Sequence, residues 1–304
     1  MIAAAAAAFW GAMPERLLRE RENAVWRVRL PDGRGAALRL HRAGYQSEAA
    51  IRSELWWCGG LAAAGLPVPA PVTGPAGEVV HRLPDGRWAS MLAWVEGQPM
   101  GEAGVPLPGG PEDQARLHHD LGRLLARVHA ATDAMVLPGW FARPRWDLAG
   151  LLGEVPFWGR FWEHPQASAE QAGVLVRARD WLSGRIAGQG APLGPIHADV
   201  LRENVLVAEG RLSLIDFDDS GIGWRLYDLG TALSQCLAEP SFPEIRAALM
   251  EGYGTTDGAM VDAFTLMRCC ASVGWTMPRL GPDDPVHGSH LTRAVAAARR
   301  FGAV

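Results

Sequence analysis

The 304-residue chain contains no lysine: all 29 of its Lys and Arg residues are arginine. That absence removes the compact ammonium from every phosphate-binding role and leaves the permanently charged, forked guanidinium in its place. The net charge of −4 carries no basic excess, which disfavours nucleic-acid binding. Cysteine is scarce, at 58, 236, 269 and 270, with no Cys-x-x-Cys pairing. This excludes a secreted disulfide framework and suits reduced thiols in a cytoplasmic protein. No apolar run reaches the roughly 18 to 20 residues of a membrane span, so no membrane partner is expected. The alanine run Ala3 to Ala8 lacks a positive leader and a cleavage signature, and reads as a first helix. No internal repeat is found.

Asparagine is also rare, occurring only at 23 and 204, and the second lies in the most informative stretch, Ile196 to Asp228. It reads IHADVLRENVLV, a short turn, then LSLIDFDDSGIGWRLYD, placing His197, Asp199, Asn204, Asp216 and Asp228 in order. Phosphoryl transfer needs an Asp to accept the proton of an attacking hydroxyl, and an Asn and a second Asp to hold magnesium against the phosphates. Asp199 and Asn204, five residues apart, suit one loop between two short elements. Arg211 to Ile215 reads as a strand returning beside Val205 to Val207, with Ala208-Glu209-Gly210 as the turn. Such a hairpin carries Asp216 back toward Asn204, and one oxygen from each suits a largely hydrated Mg²⁺. The plainer reading is a solvated acidic loop cluster capping a helix.

With those residues in hand, the chain resembles the aminoglycoside phosphotransferase, choline kinase and homoserine kinase group. The resemblance rests on His197-Ala198-Asp199 through Asn204 and on Ile215-Asp216-Phe217-Asp218. It implies an α+β, two-lobed, protein-kinase-like fold: a small β-rich N-terminal lobe and a larger, mainly helical C-terminal lobe. It also implies ATP and Mg²⁺ as cofactors, Asp199 as catalytic base, and Asn204 and Asp216 as magnesium ligands. His197 and Asp228 become buttresses of the catalytic loop, and Asp218 a further candidate at the metal or acceptor. Asp216-Phe217-Asp218 stands where protein kinases have Asp-Phe-Gly, so a glycine-hinged activation segment is not expected.

In such a fold a strand lysine grips the phosphates and pairs with a helix glutamate. Gly35 to Leu40 alternates like a strand, and the resemblance puts Arg39 at the lysine position. A guanidinium can clamp phosphate bidentately. The opposing reading makes Arg39 a surface residue of a degenerate, nucleotide-binding pseudokinase. Asn23 to Leu30 reads as the partner strand, so the two are expected to form the first hairpin. The loop before it, Arg21-Glu22-Asn23, lacks the Gly-x-Gly-x-x-Gly that covers ATP. A helix over Gln46 to Ala64 follows, with Ile51, Leu55, Cys58 and Leu61 at helical spacing. It carries Glu48 and Glu54 as candidate partners of Arg39, and the family pattern favours Glu54.

A strand pair is expected over Val79 to His81 and Trp88 to Trp94, turning at Pro84-Asp85-Gly86. By resemblance, Leu92 to Gly97 is the hinge whose backbone, at Leu92 and Trp94, binds adenine. The lobes are therefore taken as 1–97 for the nucleotide and 98–304 for catalysis and the acceptor. Helices are expected at about 112–132, 171–187, 227–237, 244–251 and 260–273. His118, His119 and His129 do not have convincing metal spacing, and no zinc site is assigned. The aromatics between Trp140 and Pro165 read as core, with an aromatic lining for a cationic acceptor as the alternative. The expected activity is transfer of the ATP γ-phosphate to a hydroxyl of a small molecule: an aminoglycoside, homoserine or other amino-alcohol, or a sugar. The rival acceptor is a protein serine.

Overall fold

The computed structural model describes residues 2–20, 23–188 and 190–304. From the N-terminus run α1 (Ile2–Ala8), β1 (Met13–Glu20), β2 (Ala24–Arg29), β3 (Gly35–Leu40), α2 (Glu48–Ala63), β4 (Val80–Arg82) and β5 (Trp88–Ala93). Then come β6 (Gln98–Pro99), α3 (Pro111–Asp133), β7 (Arg145–Trp146), α4 (Leu148–Leu152), α5 (Ala169–Ala187) and β8 (Gly194–Ile196). The remainder is β9 (Val205–Ala208), β10 (Arg211–Leu214), β11 (Gly221–Gly223), α6 (Leu226–Ser234), α7 (Phe242–Tyr253), α8 (Gly258–Thr276) and α9 (Val286–Arg300). Two units result. The first comprises Met1–Gln98, Ala131–Arg143 and Leu206–Asp218; the second comprises Pro99–Ala130, Pro144–Val205 and Asp219–Val304. The border expected near Gly97 thus ends only the first segment of the first unit, which also takes two later stretches.

The first unit is built on an antiparallel sheet in the order β1-β2-β3-β5-β4. Strand alternation sends neighbouring side chains to opposite faces. Ala36, Leu38 and Leu40 therefore join Val28, Ala89 and Met91 in a core closed by Ala3, Ala6, Ala7 and Trp10. Leu92, across from Ala37 in the register, takes the other face and packs with Ile51, Leu55 and Val80. Arg39 alternates with Leu38 and Leu40, so it shares the α2 face. Ser47 caps α2, its hydroxyl accepting from the Ala50 amide.

One sequence expectation is corrected here: β2 and β3 are not the first hairpin, because β1 precedes them. Its sequence, MPERLLRE, is almost wholly exposed, and register shifts at Pro14/Arg16 and Leu17/Arg19 break the alternation that would have marked it. Arg21 and Glu22, in the loop before β2, lie outside the described residues. The β9–β10 hairpin, by contrast, turns at Glu209 (φ 50°) and Gly210 (φ 74°), both left-handed as a two-residue hairpin turn demands.

The second unit is mainly helical. Its core gathers Trp146, Trp158, Phe161, Tyr227, Phe264 and Leu291, so the aromatic stretch is largely structural packing, while Trp140 and Phe157 remain exposed. α6 and α8 approach closely at Gly230, where an added Cβ would lie 2.4 Å from the Phe264 carbonyl carbon. A small sheet, β7-β11-β8, pairs β11 antiparallel with β8. That pairing brings the start of α6, which follows β11, beside the residues that follow β8. α9 was not among the expected helices: its alternating small and polar residues, VHGSHLTRAVAAARR, bury a narrow stripe of His287, Leu291, Ala294, Val295, Ala297 and Ala298. No helix among the described residues is long and apolar enough to cross a membrane.

Candidate active site

In the second unit the loop after β8 carries His197, Ala198 and Asp199. Ala198 is held at φ 63°, a left-handed conformation that a side-chain-bearing residue keeps only when its surroundings fix it. The fixing group is Asp228 in the first turn of α6. Its Oδ2 accepts from the His197 amide at 2.9 Å, and its Oδ1 from the Ala198 amide at 2.7 Å. His129 of α3 completes the shell, Nε2 donating to Asp228 Oδ2 at 3.1 Å while Nδ1 meets the Tyr253 hydroxyl at 2.9 Å. Burial, the largest influence on Asp228, pushes its pKa up. The His129 hydrogen bond, the nearby His129 and His197, and the His197 amide outweigh it, so the carboxyl stays below the ordinary carboxylate range.

Asp199 emerges from this loop with both carboxylate oxygens engaged. Asn204 Nδ2 donates to Asp199 Oδ2 at 2.8 Å and to the Asp199 carbonyl at 2.9 Å. The two amide protons of Asn204 are thereby committed to Asp199, and its Oδ1 is the atom left for another partner. Arg268 of α8 donates from Nη2 to Asp199 Oδ1 at 2.5 Å. Arg268 is 4% exposed and Asn204 5%, so the Asp199 carboxylate is held from two sides by groups that cannot drift into solvent. The Asp199 amide points at His197 Nδ1, 3.3 Å away.

In the first unit a second charged group forms around Arg39, 6% exposed. Its Nη1 donates to Glu54 Oε1 at 2.8 Å and its Nη2 to Asp216 Oδ1 at 3.0 Å, and Asp218 Oδ1 lies 3.6 Å from Nη1. Burial, the largest influence, favours the neutral guanidine; Glu54, Asp216 and Asp218 reverse it and keep the cation more firmly than usual. Burial raises the Glu54 carboxyl, and Arg39 opposes that rise. Glu48 takes no part and pairs with Arg52 on the same helix. Asp216 adopts φ 63° and is 39% exposed at its side chain, so one end of it reaches solvent while the other holds Arg39.

Residues distant in sequence brace Asp218. Asn23 donates to its Oδ2 at 2.9 Å, Gln46 to its carbonyl at 3.2 Å, and Arg143 to its carbonyl and to that of Phe217 at 3.2 Å. Asp218 Oδ1 and Glu54 Oε2 are buried without a hydrogen-bond partner among the described residues. Leu92 and Trp94 are not drawn into this cluster. Leu92 is buried in β5, and the amides of Ala93 and Trp94 donate to the Ala70 and Gly35 carbonyls.

Among the described residues no group of three or more His, Cys, Asp or Glu side chains is set as a metal cage. Within the first unit, Asp216 and Asp218, the latter with an Oδ1 that no hydrogen bond claims among the described residues, are hard oxygen donors of the kind magnesium accepts when it keeps waters and substrate phosphates. In the second unit the Asn204 amide oxygen is a donor of the same kind. Arg268, His129, Arg143 and Gln46 were not singled out by motif. Arg268 had a sequence signal nonetheless: it is the lone charge within the apolar run Ala263 to Gly274.

The phosphotransferase enzyme family model matches residues 15–264. Amicoumacin kinase of Bacillus subtilis (strain 168) is 26% identical over 248 residues, covering 79% of this chain and 68% of the relative. Homoserine kinase of Polaromonas naphthalenivorans (strain CJ2) is 28% identical over 264 residues, covering 77% and 75%. Among solved structures, a microcompartment-associated aminopropanol kinase superposes with a TM-score of 0.80 at 28% identity, covering 99% of this chain and 94% of that one. These likenesses bear out the α+β, protein-kinase-like fold expected from the sequence. With a family match over most of its length, the chain belongs to the phosphotransferase enzyme family.

Proposed function

We propose that the protein transfers the γ-phosphate of ATP, with magnesium, to a hydroxyl of a small molecule. The carrying observation is the fixation of Asp199 by Asn204 and Arg268 on a loop whose strained Ala198 is locked by Asp228. Asp199 accepts the proton of the acceptor hydroxyl and aims its oxygen for attack; a positioned base of this kind contributes roughly 10²- to 10⁴-fold. His197 and Asp228 are positioning residues, keeping the loop amides turned inward. Arg39, oriented by Glu54, neutralises phosphate charge in the role that lysine fills elsewhere.

The Asn204 amide oxygen, Asp216 and Asp218 are the proposed magnesium ligands. Magnesium, when bound, supplies charge neutralisation at the phosphates. Backbone groups of the Leu92–Trp94 segment and just beyond it are proposed to receive the adenine. Residues 1–97 are read as nucleotide-handling and 98–304 as catalytic and acceptor-binding, with Asp216 and Asp218 returning to the first unit. Four buried, unpaired cysteines support a reducing, cytoplasmic setting.

The names of the similar proteins, homoserine, aminopropanol and amicoumacin kinases, support a small hydroxylated acceptor. Magnesium-dependent ADP release stimulated by such an acceptor, and lost in Asp199→Ala, tests the reading. Stimulation that survives in that variant would sink the assigned mechanism.

A further inference from the structure

Within the second unit, Asp199 is bordered by donors that have nothing to donate to. Arg268 uses Nη2 on Asp199 and sits over the Trp158 ring, its Cζ 4.6 Å from the ring centroid, yet its Nε has no partner among the described residues. Trp158 Nε1 and the Tyr227 hydroxyl are equally buried and equally unpartnered. Tyr227 keeps its proton, because burial raises its pKa more than Arg268 lowers it. Arg293 adds a second guanidinium with an unpartnered Nε; its Nη2 meets His290 Nδ1 at 3.2 Å. That imidazole is neutral: burial first, then Arg293 and Arg268, push it down to about 3.

Each orphaned atom is an N–H or O–H donor. Native proteins seldom leave buried donors unsatisfied, because each costs on the order of 1 to 3 kcal/mol. Donors gathered around Arg268, which itself holds the proposed base, call for an acceptor-rich anion.

We infer that the acceptor carries an anionic group, a carboxylate or phosphate ester, beside its hydroxyl, and that Arg268 and the unpartnered donors around it bind that group. The inference rests on the reading of Asp199 as base and deepens it by naming the substrate class. Arg268 then recognises the acceptor.

The test pairs alcohols that differ only in the anion: serine with ethanolamine, homoserine with 3-aminopropanol, and glycerol 3-phosphate with glycerol. Each is assayed for ADP release and, separately, for binding by calorimetry. For at least one pair the wild-type protein should favour the anionic member by about 100-fold or more in kcat/KM, as loss of one partner of a buried charged pair implies, and that pair names the anion. Arg268→Gln should bring the two members within about threefold. Arg268→Lys, which keeps the charge and guards against a folding defect, should recover part of the preference in KM. A wild-type protein that turns over the uncharged or amine member as well or better overturns the inference and leaves the phosphotransferase reading standing. Selective binding of the anionic member without turnover supports the inference and removes that reading instead. Absence of discrimination in both assays overturns the inference.

Discussion

Arg39 and Glu54 form a buried ion pair, Nη1 to Oε1 at 2.8 Å, joining the third strand of the sheet to the helix that follows it. In a chain without lysine this guanidinium also reaches Asp216 with its second nitrogen, at 3.0 Å. An ammonium on the same strand could not span both carboxylates with a planar fork.

Arg39→Ala should therefore do two things. It leaves Glu54 buried without its cation, which costs about 3 to 5 kcal/mol, read as a lower urea midpoint. It should also raise the KM for ATP by at least about tenfold, because a phosphate-neutralising charge is gone. Arg39→Lys should fall between wild type and Arg39→Ala on both measures. Equal ATP affinity in all three would detach Arg39 from the nucleotide.

Asp228 gives a pH signature. Its folded-state pKa lies below that of an ordinary aspartate, about 3.9 in an unfolded chain. A depressed carboxylate contributes stability that is fully present above the unfolded value and is lost as pH falls through the folded one. Asp228→Asn should be less stable at neutral pH by roughly 1 to 3 kcal/mol, since two loop amides and His129 lose their charged acceptor. Its stability should then fall less steeply than wild type below about pH 4. Urea unfolding across pH 2.5 to 7 checks this, and parallel curves would contradict the account.

Gly230 sets the spacing that lets Arg268 reach Asp199. A methyl group there would stand 2.4 Å from backbone of Phe264, so α6 and α8 must part. Gly230→Ala should cost on the order of 1 to 3 kcal/mol or more by overpacking. It should also lower kcat in the fraction that folds, because the 2.5 Å Arg268–Asp199 contact depends on that approach. Unchanged melting and turnover would mean that the helices slide without consequence.

How far the sequence carries these conclusions depends on whether a residue's partners are local. His197 to Asp228 is read easily, because a short loop, a two-residue hairpin turn and a following helix fix where each side chain goes. Arg39 is legible through alternation: with Leu38 and Leu40 turned to one core, Arg39 has to face α2 and Glu54. The strand Met13–Glu20 is hidden because bulges and exposure erase its period. Arg268 is hidden for another reason. It reaches Asp199 across 69 positions of sequence and belongs to no motif, so only a charge stranded in an apolar helix betrays it. The bracing of Asp218 by Asn23, Gln46 and Arg143 is likewise a product of tertiary packing that no spacing announces.

The most direct measurement is magnesium-dependent ADP release by wild type, Asp199→Ala and Asp199→Asn across the paired hydroxyl acceptors, with ATP binding followed in parallel. The account predicts acceptor-stimulated release in the wild type that falls by at least about 100-fold in both variants, while ATP affinity changes little. Turnover undiminished by loss of the Asp199 carboxylate would contradict it.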